Sequence, residues 1–141
     1  MIERFEDLNI FKDARELCRV VYEITRNNEF ERDLRFAQQI RAAAGSIMDN
    51  IAEGFERSGN KEFKQFLFIA KGSCGEVRSQ IIRALDCHYI DQNQLNSIYN
   101  QCVHLSVGIS NMITSLNKSE YKGTKYNKNN YGTGEAHETT I

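Results

Sequence analysis

The sequence lacks the features that mark several common classes of protein. Its 18 Lys and Arg stand against 19 Asp and Glu, and the resulting net charge of −1 argues against a polycation built to coat nucleic acid. No basic segment followed by an apolar run opens the chain, as a signal peptide would. The longest uncharged run, 92–117, is interrupted by Asn, Gln, Ser and His, so it does not predict a membrane span. We expect one cytoplasmic domain.

The chain contains cysteines, but no two of them form a CxxC motif. The four cysteines are Cys18, Cys74, Cys87 and Cys102. Histidines follow Cys87 and Cys102 by one and two residues, whereas two ligands on one helix face need a spacing of three or four. We therefore expect reduced thiols that pack as small apolar groups, with no metal site and no cofactor.

Alternating strand patterns are also missing, and apolar residues recur every three or four positions through most of the chain. This periodicity predicts an all-α protein, an up-down-up-down antiparallel four-helix bundle. The predicted helices cover about 7–26, 33–56, 60–87 and 91–117. Past residue 117 the periodicity stops, and we expect residues 118–141 to form a flexible, disordered polar tail.

A narrow polar row borders the apolar face of the second predicted helix, on a wheel of 100° per residue. Its members are Arg35, Gln39, Ser46, Asn50, Glu53 and Arg57. The row is interpreted as a structural network that fixes how this helix sits against its neighbours, with Ala42 to Gly45 and Gly54 permitting close approach. The alternative makes Glu53 a general base, but no histidine, second carboxylate or nucleophile stands at a spacing that completes acid-base geometry. We predict no catalytic residue.

The third predicted helix carries a basic stripe with an aromatic residue among its cations, away from its apolar seam. The stripe consists of Lys61, Lys64, Phe68, Lys71 and Arg78. Such a stripe is suited to a phosphate backbone and a stacked base, so we predict that it binds nucleic acid. The alternative is a solvated charged face with Phe68 at a subunit contact.

The fourth predicted helix has no Lys, Arg, Asp or Glu between Gln92 and Asn117. Four apolar side chains lie off its main seam: Tyr99, Val103, Val107 and Ile113. Depletion of charge with an added aromatic is typical of the core of a subunit interface. We predict that these four residues contact another copy of the chain. The alternative is a helix that is merely neutral on its outer face.

The segment QQIRAAAGSIMDNIAEGFERSGNKEFKQFLFIAKGSCGEVRSQIIRAL resembles a known family. That family comprises the four-helix bundle proteins encoded in intervening sequences of bacterial large-subunit ribosomal RNA genes. The resemblance extends from about Phe11 to Leu116, and over 39–80 the NIAEG core, the following Arg57, EF..FL and GS..E stand in order. One departure is Met48, where relatives commonly have proline after SI; the chain contains no proline and so lacks the residue that would kink a helix there.

The resemblance implies a homopentamer of bundles. The family is similar to the accessory proteins of diversity-generating retroelements, basic bundle pentamers that engage nucleic acid and a reverse transcriptase, whereas this chain has a net charge of −1. We predict a non-enzymatic oligomer that binds RNA or other nucleic acid weakly, because repeated modest patches gain avidity. The alternative is a protein assembly scaffold with no nucleic-acid role. Neither interpretation includes a membrane or a small-molecule substrate.

Overall fold

The computed structural model describes the backbone of residues 1–131 and the side chains of residues 1–119 other than Asn28. A 3-10 turn at Phe5–Asp7 precedes five α-helices. They are α1 (Asn9–Thr25), α2 (Asn28–Arg32), α3 (Leu34–Glu56), α4 (Asn60–Asp86) and α5 (Gln92–Tyr131). No strand occurs in the described backbone, and the all-α prediction is confirmed.

The four long helices pack as an up-down-up-down bundle. Each has two neighbours around the core, because α3 contacts α1 and α4, and α5 contacts α4 and α1. At one end, Asn27 Nδ2 donates to the carbonyl of Tyr89 over 3.3 Å. There, Tyr89 Oη also donates to Asp33 Oδ2 over 2.9 Å. The ends of α1 and α4 therefore lie beside the starts of α3 and α5, which makes successive long helices antiparallel.

The interior is filled by the apolar side chains that the 3-4 periodicity places on one face of each helix. Those from α4 and α5 with no more than 1% exposure include Leu67, Cys74, Ile81, Ile98, Cys102, Leu105 and Ile109. Burying one large aliphatic side chain contributes about 1.5–3 kcal/mol. This shared core is therefore the main source of stability for the fold.

Three of the four thiols are buried or half-buried, and their chemistry follows from that. Burial raises the pKa of both the Cys74 and the Cys102 thiols to about 12. Burial, with the nearby Asp49 carboxylate, raises the pKa of Cys18 to about 11. Cys87 is exposed. The first three thiols consequently remain protonated at neutral pH and pack as apolar groups.

The short helix α2 closes one end of the bundle and was not indicated by the sequence patterns. Asn27 caps it by accepting a hydrogen bond from the backbone N–H of Phe30 over 3.2 Å. The Phe30 ring is fully buried, with its centroid 5.1 Å from those of both Phe36 and Tyr89. Five residues are too few to show helical periodicity, so this element depends on its cap and its aromatic contacts.

The last helix continues to Tyr131, past its predicted end at residue 117. Among the side chains that the structure describes, Ile113 and Leu116 are the last of α5 to pack against the core. The backbone helix thus extends past the end of the apolar periodicity, and no proline interrupts it. The predicted tail overlaps this helix over 118–131, and its remainder, 132–141, lies outside the described residues.

The backbones of α3 and α4 approach each other closely at Gly54. A Cβ atom built at Gly54 would lie 2.6 Å from Cβ of Phe66 and 3.1 Å from Cδ1 of Phe63. The guanidinium carbon of Arg57, almost one turn further on, lies 5.3 Å from the centroid of the Phe66 ring. The NIAEG motif therefore supplies the small residue that lets α4 pack against the end of α3.

We expect Gly54→Ala to destabilise the bundle by about 1 kcal/mol, although alanine favours a helix, because the overpacked contact costs about 1–3 kcal/mol. Gly72→Ala is the matched control, since a Cβ there would meet nothing within 4 Å. The control should stabilise the protein by up to about 1 kcal/mol. Urea denaturation measures both variants, and equal stabilisation by the two would contradict the close approach at Gly54.

Candidate interaction surfaces

The middle of the predicted polar row joins α3 to α4. Ser46 Oγ and Ser73 Oγ share a hydrogen bond of 3.0 Å across the two helices. Asn50 Nδ2 donates to the carbonyl oxygen of Ser46 over 2.7 Å and to its Oγ over 3.0 Å. All three side chains are at least half-buried. Their mutual hydrogen bonds hold the register of α3 on α4 at this point.

The two ends of the polar row are exposed. Arg57 donates to Glu53 over 3.0 Å, and its other terminal nitrogen lies 3.9 Å from Glu62. Exposed ion pairs of this kind contribute little to stability. Arg35 and Gln39 are exposed at the opposite end, where neither makes a side-chain hydrogen bond to any residue described. The network expected along the whole row is therefore confined to its middle.

Beside that join, α3 and α4 leave an open groove on their outer side. Its volume is about 430 Å³, and it is lined by Gln39, Ala42, Ala43, Ser46, Glu76, Ser79, Gln80 and Arg83. Gln80 is 4% exposed, and its Nε2 lies 3.5 Å from Glu76 Oε1. Its Oε1 has no hydrogen-bond partner within the described part of the chain. The polar row thus contributes one wall of a pocket as well as a helix contact.

The predicted basic stripe is only partly on the surface. Lys64 is 3% exposed, and its Nζ donates to Asn117 Oδ1 over 2.8 Å. Assigning it to a nucleic-acid surface was therefore wrong, because α5 covers this position of α4 and supplies a polar partner. Lys61 and Lys71 are exposed, and Phe68 is 40% exposed. Two lysines and one aromatic ring of the stripe thus remain accessible.

Arg78, the last member of the stripe, lies between α4 and α5. Its guanidinium carbon stands 5.5 Å from the centroid of the Tyr99 ring, a cation–π contact. Its Nε atom is buried without a hydrogen-bond partner in the described residues. Arg78 is half-buried, so it joins two helices of the bundle in addition to placing charge near the surface.

Three of the four predicted interface residues are exposed. Tyr99 and Val103 are both 37% exposed, and Val107 is 53% exposed. The assignment of Ile113 was wrong, because this side chain is 5% exposed and packs in the core. It lies four residues after the buried Ile109 and so falls on the same face of α5.

The exposed apolar surface extends from α5 onto α4. Phe68 and Ile82 are 40% and 45% exposed, and both lie on the side of α4 whose Lys64 and Arg78 contact α5. The combined surface, termed the α4–α5 face, consists of Phe68, Ile82, Tyr99, Val103 and Val107. Ile82 was not among the predicted interface residues; it stands seven residues from Gly75 and fourteen from Phe68 along one line of the helix.

These features define a bundle protein with a polar join between α3 and α4, a groove beside it and an apolar outer face. Within the described residues, no group of three or more His, Cys, Asp or Glu is placed to hold a metal ion, and no helix is long and apolar enough to cross a membrane.

The family model for the 23S rRNA-intervening sequence protein matches residues 6–115, and the chain belongs to that family. A search of curated proteins found no match.

We expect Ser46→Ala to lower the free energy of unfolding by about 1 kcal/mol relative to Ser79→Ala, because it removes a partner from both Ser73 and Asn50. Ser79 is exposed to solvent and lies in the middle of α4, away from its ends, so its replacement reports only the change in helix propensity. Glu53→Ala should change the free energy by less than about 0.5 kcal/mol. Chemical denaturation compares the three variants, and a larger loss for Glu53→Ala than for Ser46→Ala would refute this ranking.

Proposed function

We propose that this protein is a non-enzymatic, self-assembling bundle of the cytoplasm whose subunits join through the α4–α5 face. The observation that carries the proposal is the set of five apolar side chains, 37–53% exposed, beside a stretch of α5 that has no charged residue from Gln92 to Asn117. Exposed apolar patches without charge are typical of the centre of an interface. The four free cysteines are compatible with a reducing compartment.

Gly75 supports a close contact between subunits at this face. It stands midway between Phe68 and Ile82, and a Cβ atom built on it would meet nothing within 4 Å. Glycine in a helix interior costs about 1 kcal/mol relative to alanine, and no close contact with the described residues of the subunit offsets that cost. Because Gly75 has no side chain, a helix of a second copy would be able to approach the α4 backbone closely at this point.

A closed ring of five subunits is the assembly that we propose, on the strength of the family resemblance. In a cyclic pentamer each subunit presents two different surfaces, because only a two-fold axis pairs a surface with itself. The α4–α5 face would be one of them. The bundle would then act as a scaffold that holds five identical outer surfaces at fixed distances from one another.

We expect static light scattering to give a mass about five times the 16.3 kDa of one chain. Val103→Glu and Tyr99→Lys should reduce that mass, because each places an unpaired charge in an apolar contact. Val103→Thr, which keeps the shape, and Ser115→Glu, which adds the same charge at an exposed position elsewhere on α5, should both remain assembled. A wild-type protein that stays monomeric at micromolar concentration would overturn the assembly.

Weak binding of RNA is a second candidate function, favoured by the exposure of Lys61, Phe68 and Lys71 on one helix. The lysines would contact phosphates, and the Phe68 ring would stack on an unpaired base. Two lysines per subunit form a modest patch, but an oligomer repeats them and gains avidity. Phe68 also belongs to the α4–α5 face, so base stacking and subunit contact would compete for the same ring.

If RNA binds there, its affinity must fall steeply with salt, and replacing Lys61 and Lys71 together by Gln should lower the salt slope by about 1.4 for single-stranded RNA. Lys12→Gln combined with Arg15→Gln removes the same charge from exposed positions of α1 and should leave the slope unchanged. Phe68→Ala should weaken single-stranded binding more than duplex binding. Fluorescence anisotropy measures these changes. If the intact oligomer binds no RNA at low salt, RNA binding is contradicted and only the scaffold function remains.

A further inference from the structure

A closed ring buries two different surfaces of each subunit, and the α4–α5 face is only one of them. We propose that the other surface is the side of the bundle formed by α1 and α3, and that α3 of the next subunit packs antiparallel onto α4. This second surface, termed the α1–α3 face, consists of Tyr22, Leu34, Gly45, Met48 and Ala52. The inference rests on the proposed assembly and adds to it the identity of the covering surface and the direction of the contact.

The two faces lie on opposite sides of the bundle. Around the core, α3 contacts α1 and α4, and α5 contacts α4 and α1, so the pair α1–α3 is opposite the pair α4–α5. Arg41 marks the α1 side of α3, because its Nε donates to Thr25 Oγ1 over 2.8 Å. Leu34 and Met48 stand seven residues before and after Arg41 and therefore share that side. Faces on opposite sides allow each subunit to contact a neighbour on either hand, as a ring requires.

The α1–α3 face is the second place where apolar side chains of neighbouring helices lie on the surface. Outside the α4–α5 face, the large apolar side chains exposed in the described part of the chain are Met1, Ile2, Tyr22, Leu34 and Ile69. Tyr22 of α1 is 53% exposed and Leu34 of α3 is 58% exposed, and Met48 and Ala52 beside them are half-buried. The guanidinium carbon of Arg41 lies 4.8 Å from the centroid of the Tyr22 ring, so its charge is held within the subunit. The face therefore offers apolar area to a partner, as the centre of an interface does.

Small residues on this side of α3 match a large residue on α4 in shape. A Cβ atom built at Gly45 would meet nothing within 4 Å, and Ala52 follows seven residues later on the same side of the helix. On α4, Phe68 stands seven residues before Gly75. Antiparallel packing that sets Gly45 opposite Gly75 therefore sets Ala52 opposite the Phe68 ring, so that a small side chain leaves room for a large one. The two glycines let the helix backbones approach closely at the same point.

Charges at the ends of the two helices favour the antiparallel direction. Lys61 begins α4 and Asp86 ends it, while Arg35 and Glu56 stand at the start and the end of α3. All four are exposed, and none forms an ion pair with another described residue. Antiparallel packing brings Lys61 near Glu56 and Asp86 near Arg35, whereas parallel packing would bring like charges together. Symmetry gives the same direction, because α3 and α4 are antiparallel within a subunit and rotation about an axis along the bundle keeps them antiparallel between subunits.

The first test is the mass of blocked variants, measured by static light scattering. Gly45→Glu should lower the mass to that of one chain, because it places bulk and an unpaired charge in the contact although a side chain there meets nothing within the subunit. Gln39→Glu is the matched control: it adds the same charge at an exposed position on the α4 side of α3, and it should remain assembled. If circular dichroism shows that Gly45→Glu folds poorly, Leu34→Glu replaces it.

The second test mixes two monomeric variants. Val103→Glu retains an intact α1–α3 face and Gly45→Glu retains an intact α4–α5 face, so their equimolar mixture should form a heterodimer of about twice the mass of one chain and grow no further. If Gly45→Glu keeps the wild-type mass while Val103→Glu is monomeric, the α1–α3 face is overturned and the α4–α5 face stands. If both are monomeric but do not combine at up to about 1 mM, the contact between the two faces is likewise overturned. A Val103→Glu variant that stays assembled instead contradicts the proposed function itself.

Discussion

The contact between the α3 backbone at Gly54 and the side chain of Phe66 is the constraint on which the rest of the structure depends. It fixes how closely α3 and α4 approach, since a single added carbon at Gly54 would lie 2.6 Å from Phe66. Two turns earlier in α3, the same pairing brings Ser46 within 3.0 Å of Ser73. Phe68 lies about 200° from Phe66 on the helix, so directing Phe66 at α3 turns Phe68 away from it, toward α5.

The polar side chains of α3 and α4 consequently have different structural roles, depending on how deeply each is buried. Where the helices touch, Ser46, Asn50 and Ser73 satisfy one another and specify the register. Beside the groove, the buried Oε1 of Gln80 has no hydrogen-bond partner among the residues described. At the exposed end of α3, Glu53 and Arg57 form an ion pair that water screens. Only the first group is part of what holds the bundle together.

The four long helices could be predicted because each carries an apolar pattern that lasts for several turns, as 63–84 and 95–116 do in α4 and α5. The two wrong site assignments had one cause, which is that a wheel drawn for a single helix does not show what the neighbouring helix covers. Lys64 is buried by α5 and paired with Asn117, which is 53 residues away in sequence. Ile113 lies near enough to the seam of its own helix to join the core.

Other features could not be predicted, because they involve too few residues to show a periodic pattern in the sequence. The five-residue helix α2 depends on a cap at Asn27 and on the burial of Phe30, neither of which is periodic. The buried Gln80 Oε1, which has no partner among the described residues, could not be foreseen, because the pattern of one helix does not show which of its atoms its neighbours leave unpaired. Gly54 was recognised as permitting close approach, since glycine inside an apolar helix usually has a packing reason.

The central claim, that the α4–α5 face is covered by another subunit, is tested most directly by the alkylation rate of a cysteine placed in that face. In a Cys87→Ser background the three native thiols are shielded, with pKa values of about 11 to 12, so Val103→Cys or Ser115→Cys supplies the reactive group. The account predicts that iodoacetamide labelling at position 103 slows as protein concentration rises and the oligomer forms, while labelling at position 115 keeps its rate. Equal rates at both positions across that range, with light scattering showing the oligomer present, would contradict it.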